Sequence, residues 1–339
     1  MFPDVTLTPA QVQDLLVLDD RPVPATPVLD LVVPATKWKL HNSDVVQVNL
    51  KTREIGAIPH TQYGAAAFTN DGFELDERIY RPRPIKQVNT IPGHIVAQMS
   101  TREPAFLQAE IARILADHRD NIRMTKEAMV CAGILGTFTY AVNTQAGVVA
   151  ATQTAMGSVA APTVTNKWDA SGAKFSAVEQ AWRAFQDSII AGSNGAFGND
   201  PGSLVMLVGS DVWAILVGLL TAQFANSGSA LIAPALAAQE FVFGNMRIKR
   251  ISGTYNSYSG TTKSATAKIA AKRAVMIDLA AQHHGRYCVL EDIGANGRPM
   301  EMFAKQYENQ NPSGLNLFSE SKPFVFPDVR GIGVQDVLA

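Results

Sequence analysis

The residues of this sequence that could do chemistry are not arranged for catalysis. The phosphate-cradling pattern GxxxxGK followed by Ser or Thr is absent, as are the zinc-binding pattern HExxH and the nucleophile pattern GxSxG. Gly192, Gly195 and Gly198 are spaced GxxGxxG and follow a predicted helix, so we interpret them as a loop rather than a nucleotide site. We therefore expect no enzyme activity, no cofactor and no bound metal.

The histidines and the basic run are better explained by packing or solvation than by binding. His283 and His284 are adjacent, and on a strand they would point to opposite faces, so they could not hold one ion together. His118 lies on the apolar stripe of a predicted helix and is expected to be packed. The basic residues at 247–250 are typical of an exposed strand face rather than of a nucleic-acid site.

The composition favours a globular chain of about two domains. The charged fraction of 17% is low, and self-association is one way to cover a surface with so few charges. A net charge of −1 does not indicate a dedicated nucleic-acid binder. Cys131 and Cys288 fall in predicted regular structure, which favours buried thiols and a reducing compartment.

The longest helical signal covers residues 104–138. Pro104 suits a first turn, and Gly133 and Gly136 indicate where the helix weakens and ends. A rod of this length, roughly 50 Å, needs something packed along it. Near-apolar positions recur every three or four residues, at Leu107, Ile111, Ile114, His118, Ile122, Thr125 and Met129. The opposite face carries charges that are spaced to pair across one turn, namely Glu110, Arg113, Asp117, Arg119, Asp120, Arg123, Lys126 and Glu127.

A charged hairpin is predicted before this helix. Residues 44–50 and 73–80 alternate as strands do, and small residues join them. Asp76 and Glu77 on the second strand are expected to form a solvated edge rather than an acid–base pair. The Arg-Pro-Arg-Pro run at 81–84 keeps the following chain extended. Because a two-stranded hairpin is marginal in water, this one is expected to depend on contacts outside its own fold.

The second half of the chain, residues 168–300, is predicted to be a compact mixed domain. It contains an amphipathic helix at 174–190 and a fully apolar strand at 204–209. Gly209-Ser210-Asp211 interrupts the apolar run 204–220, which favours a strand followed by a capped helix over a membrane span. The polar segment 255–268 is predicted to be an exposed loop.

Three stretches carry a resemblance to a known family. They are the run 73–90, the segment 272–292 with its HHGRYC sequence, and the closing stretch 323–339, which ends in VQDVLA. In the order arm, charged hairpin, long helix and mixed domain, the chain resembles the major capsid proteins of tailed bacteriophages. The resemblance is to the lambda-type family of the Hong Kong 97-type fold, and it covers nearly the whole chain.

The resemblance implies an α+β fold with an N-terminal arm, an extended β-hairpin loop, a long spine helix, and peripheral and axial domains. The implied division is 1–36 for the arm, 37–90 for the extended loop, 91–167 for the peripheral domain with its spine helix at 104–138, 168–300 for the axial domain, and 301–339 for the return to the peripheral domain.

The resemblance also implies a function and a set of partners. Such chains assemble as pentamers and hexamers into an icosahedral shell that encloses double-stranded DNA. They do not bind the DNA sequence-specifically, and no membrane is involved. The expected partners are further copies, a separate scaffolding protein and a portal, and a decoration protein is left open. The expected location is the virion capsid, with the host cytoplasm during assembly. The residues expected at contacts between subunits are Asp76, Glu77, Arg78, Arg81, Arg83, Arg119 and Arg123.

The sequence leaves two alternatives open. One is a cellular nanocompartment shell of the same fold, as in encapsulins, which encloses enzyme cargo instead of DNA. The other is a soluble α/β enzyme built on residues 168–300.

Overall fold

The computed structural model describes residues 25–52, 74–102, 104–144, 147–154, 157–223, 238–259, 262–310 and 313–339. Within these residues it contains five α-helices: α1 (Pro27–Val32), α2 (Gly93–Arg102), α3 (Pro104–Gly133), α4 (Phe175–Gly192) and α5 (Ser210–Gln223).

The strands of the same residues form small antiparallel pairs and larger sheets. They are β1 (Trp38–Leu40), β2 (Val46–Thr52), β3 (Glu74–Tyr80), β4 (Ile85–Pro92), β5 (Thr137–Thr144), β6 (Gly147–Thr154), β7 (Leu204–Val208), β8 (Glu240–Phe243), β9 (Met246–Arg250), β10 (Thr254–Ser259), β11 (Thr262–Ala267), β12 (Arg273–Asp278), β13 (His284–Tyr287), β14 (Phe303–Gln310), β15 (Ser313–Ser321), β16 (Pro323–Phe326) and β17 (Ile332–Asp336).

Three sheets have more than two strands among the described residues. The central sheet has five strands in the order β17-β12-β7-β9-β8. Two three-stranded sheets have the orders β14-β15-β4 and β1-β13-β16. The pairs β2-β3, β5-β6 and β10-β11 form separate antiparallel hairpins. The mixture of sheets and helices confirms the predicted α+β class.

The central sheet is covered on both faces, which explains the unbroken apolar run of β7. Leu204, Met206 and Val208 lie in the core formed with α4 and α5. Val205 and Leu207 face a second core, to which α1 and the end of α3 contribute. A strand buried on both faces has no polar side, so its sequence does not alternate. The predicted strand at 204–209 is therefore confirmed.

Helix α4 confirms its predicted apolar face. It begins at Phe175 and ends at Gly192, close to the predicted 174–190. A stripe with steps of three and four residues buries one side against the central sheet, and each such side chain stabilises the fold by about 1.5–3 kcal/mol. The predicted stripe residues are all buried: Phe175, Val178, Trp182, Phe185 and Ile189.

Helix α3 ends earlier than its predicted end at residue 138. It stops at Gly133, and the chain turns through Gly136, whose φ of +87° lies in the region that favours glycine, into β5. The predicted stripe is buried as far as Ile122. Beyond it, the assignment of Lys126 and Glu127 to the exposed face is wrong, because both side chains are buried.

The prediction that 255–268 is a loop is also wrong, although most of its described side chains are exposed as predicted. This segment forms the β10-β11 hairpin, which pairs antiparallel from Thr254↔Ala267 to Ser259↔Thr262. Tyr255 packs against the second core, and Lys268, just after the hairpin, is buried. Small polar residues and threonines obscured the strands, because the segment lacks an alternating apolar face.

Helix α2 and strands β4 and β5 were not predicted. Strand β4 follows the Arg-Pro-Arg-Pro run and pairs with β15 from Ile85↔Ser321 to Pro92↔Gly314. It is an edge strand of its sheet, where a terminal proline is tolerated. The sequence also predicts helices at 8–18 and 227–239. These helices, most of the arm and the hairpin tip lie wholly or largely outside the described residues.

Candidate assembly surfaces

The charged hairpin is fixed to the rest of the chain through one face of its base. Strands β2 and β3 pair antiparallel along their whole length, as predicted. Val46 and Tyr80, which are opposite each other, are buried with Cys288 and Phe324. The ring centroids of Tyr80 and Phe324 lie 5.3 Å apart. The C-terminal segment therefore provides the aromatic anchor of the hairpin.

An ion pair reinforces this anchor. Lys322, which is only 2% exposed, bonds to Asp44 just before β2. Its Nζ also lies 3.8 Å from a carboxylate oxygen of Glu291. The hydrogen bond from Lys322 lowers the pKa of Asp44. Since the ammonium is buried, its carboxylate partners are needed to offset its lost hydration.

Replacing Tyr80 with alanine is expected to loosen the base of the hairpin while leaving the central sheet intact. Losing the buried ring should cost about 2 kcal/mol locally and increase amide exchange in 46–52 and 74–80. Hydrogen exchange followed by mass spectrometry measures both regions. Ile79→Ala is the matched control, because Ile79 is the neighbouring residue but is 67% exposed. Equal exchange in the two variants would contradict the anchor.

Most of the predicted contact charges lie on the surface of this hairpin and its exit. Arg78 Nε lies 3.8 Å from Asp76, and Glu77 accepts a hydrogen bond from Gln47. Such exposed pairs add little to the stability of one chain. The exposed members of the predicted set here are Asp76, Glu77, Arg78, Arg81 and Arg83.

The two predicted contact residues on α3 lie in different environments. Arg119 is exposed. Arg123 instead contacts the segment around α1 in its own chain: its Nε donates to Thr26 Oγ1 at 2.9 Å, and its guanidinium lies 3.1 Å from Asp30. Arg123 and Glu127 are spaced to pair across one turn of α3, but each has another partner, so the predicted pairing is wrong for these two residues.

Glu127 holds the start of α1. Its side chain is fully buried and accepts hydrogen bonds from the backbone N–H groups of Val28 at 3.3 Å and Leu29 at 2.6 Å. A carboxylate at a helix N-terminus satisfies donors that have no partner within the helix. Lys268 Nζ lies 3.0 Å from the same carboxylate and donates to Ala25 O at 2.7 Å. We call Arg123, Glu127 and Lys268, with residues 25–30, the arm clasp.

Lys126 forms a second buried contact of α3. Its Nζ donates to Tyr287 Oη at 2.8 Å and to Glu301 at 2.9 Å, and it lies 4.9 Å from the ring centroid of Trp38. The Trp38 and Tyr287 rings stack at 4.6 Å. Burial, assisted by the charge of Glu301, raises the pKa of Tyr287, so the phenol stays protonated and donates to Glu301. The contact joins α3 to the β1-β13-β16 sheet.

The neutral imidazole of His283 links the turn at Asp278 to the turn at Asp328. It is fully buried; its Nε2 donates to Asp278 O at 3.0 Å, and its Nδ1 accepts from the Asp328 N–H at 3.1 Å. Asp278 in turn accepts from the Gly198 N–H at 2.8 Å. Burial lowers the pKa of His283 from 6.5 to about 4, even though Asp278 and Asp328 favour its charged form. The charge of Lys37 acts in the same direction as burial.

The buried His283 predicts a loss of stability in mild acid. Between pH 6.5 and about 4 the unfolded chain binds a proton that the folded chain does not, so stability falls as the pH falls. The contribution is up to about 3 kcal/mol over this window. Chemical denaturation at several pH values measures it. His283→Gln keeps a donor for Asp278 and should show a flatter profile; an unchanged slope would contradict the assignment.

The described residues, including both cysteines, do not indicate a metal or redox centre. No group of three or more His, Cys, Asp or Glu side chains in the described part of the chain could hold a metal ion. Cys131 and Cys288 are buried, as predicted, and burial raises the pKa of Cys288 to about 11. Of the helices described, none has the length and apolar character needed to span a bilayer.

The comparison with known families accounts for this combination of an anchored hairpin and a long helix. Residues 15–332 match the family described as phage major capsid protein E. The chain belongs to this family. The resemblance to the major capsid proteins of tailed bacteriophages, which the sequence suggested, is thereby confirmed.

Solved capsid structures share the fold at low sequence identity. A prophage protein of Escherichia coli CFT073, assigned as a capsid protein, has a TM-score of 0.64 and 13% identity over 98% of this chain and 99% of its own. The capsid of cyanophage A-1(L) has a TM-score of 0.53 and 12% identity, covering 95% of each chain. The capsid of a native GTA particle has a TM-score of 0.51 and 10% identity, covering 95% of this chain and 93% of that one. No curated protein matches the sequence significantly.

Membership of the family settles the class of the protein. The family and the similar structures are structural capsid proteins, so this capsid protein is a component of a virion shell and not an enzyme. The Hong Kong 97-type fold is confirmed by the same structures. The alternative of a soluble α/β enzyme is wrong.

Sequence reasoning missed the buried charges that hold this capsid protein together. Lys126 and Glu127 follow Ile122 and Arg123 by four residues and precede Val130 and Cys131 by four. Lys126 is in line with a buried residue on each side, and Glu127 is in line with buried Cys131, which is a signal that this face of the helix turns inward. Their buried partners, Lys268 and Tyr287, lie far away in sequence and carry no comparable signal.

Proposed function

We propose that this capsid protein assembles as pentamers and hexamers, which close into an icosahedral shell around packaged double-stranded DNA. The observation that carries the proposal is the hairpin β2-β3. Its base is anchored by Tyr80 and Phe324, whereas its outer face carries exposed charged and apolar side chains. A two-stranded hairpin with one anchored end gains further stability from contacts with another chain.

The proposed domains of the chain are those expected for a capsid protein of this fold. Residues 168–300, with α4, α5 and most of the central sheet, would form the axial domain. Residues 91–167, with α3, would form the peripheral domain, to which 301–339 returns. Residues 1–36 would be the arm and 37–90 the extended loop. Strand β17 pairs with β12 in the central sheet, so the C-terminal segment would also tie the two domains together.

Charge at the hairpin supports a role in alignment between subunits. Exposed ionic contacts affect register and encounter more than affinity. The residues proposed for these contacts are Asp76, Glu77, Arg78, Arg81, Arg83 and Arg119, with Arg123 held in the arm clasp of its own chain.

The proposed partners beyond further copies are a separate scaffolding protein and a portal. The proposed place of assembly is the host cytoplasm. A net charge of −1 supports enclosure of DNA without sequence-specific binding.

Deleting residues 56–72 tests the role of the hairpin. The axial domain should still fold, because the described residues of the two cores that cover the central sheet come from other parts of the chain. Shell formation should be lost, as seen by electron microscopy and sedimentation. A variant with a Gly/Ser linker of equal length at 56–72 separates the effect of length from that of sequence. Normal shells from the deletion would contradict the proposal.

A further inference from the structure

The turn between β13 and β14 presents an unusually exposed apolar side chain. Ile293 is 92% exposed, while neighbouring Ala295 is buried. A single exposed aliphatic residue is common on protein surfaces and carries no meaning by itself. The inference therefore depends on how the turn is built and on what lies beside it.

Hydrogen bonds to two carboxylates, those of Glu320 and Asp292, fix the backbone of this turn. Glu320 is fully buried and accepts hydrogen bonds from the N–H groups of Glu291 at 2.9 Å and Asp292 at 3.1 Å. The Asp292 side chain accepts from the Gly294 N–H at 2.8 Å. A Cβ on Gly294 would lie 3.0 Å from the ring of Phe303, so the turn packs closely on β14. Ile293 is thus presented in a fixed position.

A sheet face with several apolar side chains lies beside this turn. In the β14-β15-β4 sheet, Phe318 is opposite both Val88 and Lys305. These side chains lie on the face opposite Leu317, which packs with α3. Val88 is 49% exposed, and Tyr307, further along the same face, is 43% exposed. We call Ile293, Phe303, Val88, Phe318 and Tyr307 the Ile293 patch.

The lysines beside the patch are neutralised within the chain. Lys305 pairs with Asp292 and lies 5.2 Å from the ring centroid of Phe318. Lys86 pairs with Glu291 at 2.8 Å. The patch therefore offers little net positive charge to a phosphate backbone. Apolar anchors with an ion-paired rim are instead typical of contacts between proteins.

We infer that a neighbouring copy of this chain covers the Ile293 patch in the shell, with Ile293 as the central anchor. The inference rests on the proposed function, since the family assembles from copies of one chain. Strand β14 supports it, because among the described residues it lies at an edge of its sheet, and an edge strand is a common place for contact with another chain. A side chain already fixed by its turn loses little entropy when it is covered.

Site-specific photo-crosslinking tests the inference directly. A photoreactive phenylalanine analogue replaces Ile293, and shells and unassembled chains are irradiated separately. The expected result is chain-to-chain adducts in shells and none in the unassembled chain, with peptides mapped by mass spectrometry. Shells that give no adducts, or adducts only to DNA or another protein, would overturn the inference and leave the proposed function standing. Failure of the unmodified chain to form shells would overturn both.

A pair of variants gives an independent measurement. Ile293→Asp should leave the thermal unfolding of the unassembled chain unchanged and raise the protein concentration needed for assembly about tenfold. Ile293→Val, which keeps an aliphatic anchor, should assemble nearly as the unmodified chain does. Equal assembly by both variants would overturn the inference.

Discussion

Replacing Glu127 with alanine is expected to lower the free energy of unfolding of the unassembled chain by about 3–5 kcal/mol, because Lys268 would remain buried without its carboxylate partner. The change also removes the acceptor for the N–H groups of Val28 and Leu29. Lys268 is only 5% exposed, so water cannot replace the lost contact without local opening. Denaturant unfolding followed by circular dichroism measures the change.

The same helix provides a matched control. Glu110 pairs with Arg113 at 2.6 Å on the exposed side of α3, and Glu110→Ala should cost at most about 1 kcal/mol. The double variant Glu127→Gln with Lys268→Met removes both buried charges and should recover much of the loss. A cost for Glu127→Ala as small as that for Glu110→Ala would contradict the arm clasp.

The arm clasp is expected to affect assembly because it holds part of the N-terminal arm. It fixes residues 25–30 against α3 and the β10-β11 hairpin. In the proposed function, these residues belong to the N-terminal arm, 1–36. A variant that loosens the clasp should therefore impair assembly at temperatures where the central sheet is still folded.

Replacing Gly209 with alanine is expected to destabilise the central sheet by about 3 kcal/mol. A Cβ at this position would lie 2.1 Å from Ala270 O and 2.6 Å from Ala271 O, and backbone atoms cannot move aside as a flexible side chain can. Gly209 also joins β7 to α5, where its N–H donates to Arg273 O. The strain would therefore reach both the sheet and the helix. Thermal unfolding measures the effect.

Gly218→Ala is the control for this substitution. Gly218 lies within α5, and among the described residues no atom outside the backbone of its own helix comes within 4 Å of an added Cβ. Alanine favours a helix over glycine by about 1 kcal/mol, so this variant should be equally or more stable. Similar losses for the two variants would contradict the close backbone approach at Gly209.

Much of the fold could be predicted from the sequence, because apolar periodicity reports burial on a local element. The stripe of α4 and the unbroken apolar run of β7 are examples. Strands with an irregular pattern were less visible. The β10-β11 hairpin is rich in Ser and Thr, and the proline at the end of β4 obscured an edge strand.

The buried polar contacts could not be predicted, because each depends on partners distant in sequence. Glu127 and Lys268 meet only after the chain has folded, and the same is true of His283 and Asp328. A charged residue on a helix is usually exposed, so Lys126 and Glu127 were assigned to the wrong face. The contacts between subunits and the domain boundaries stay predictions.

Electron microscopy of the assembled, nuclease-treated chain tests the central claim most directly. We expect closed icosahedral shells built from pentamers and hexamers, with DNA inside when they are isolated from producing cells. Small shells filled with protein would instead support a nanocompartment. A discrete monomer with no shells under any assembly condition would contradict the account.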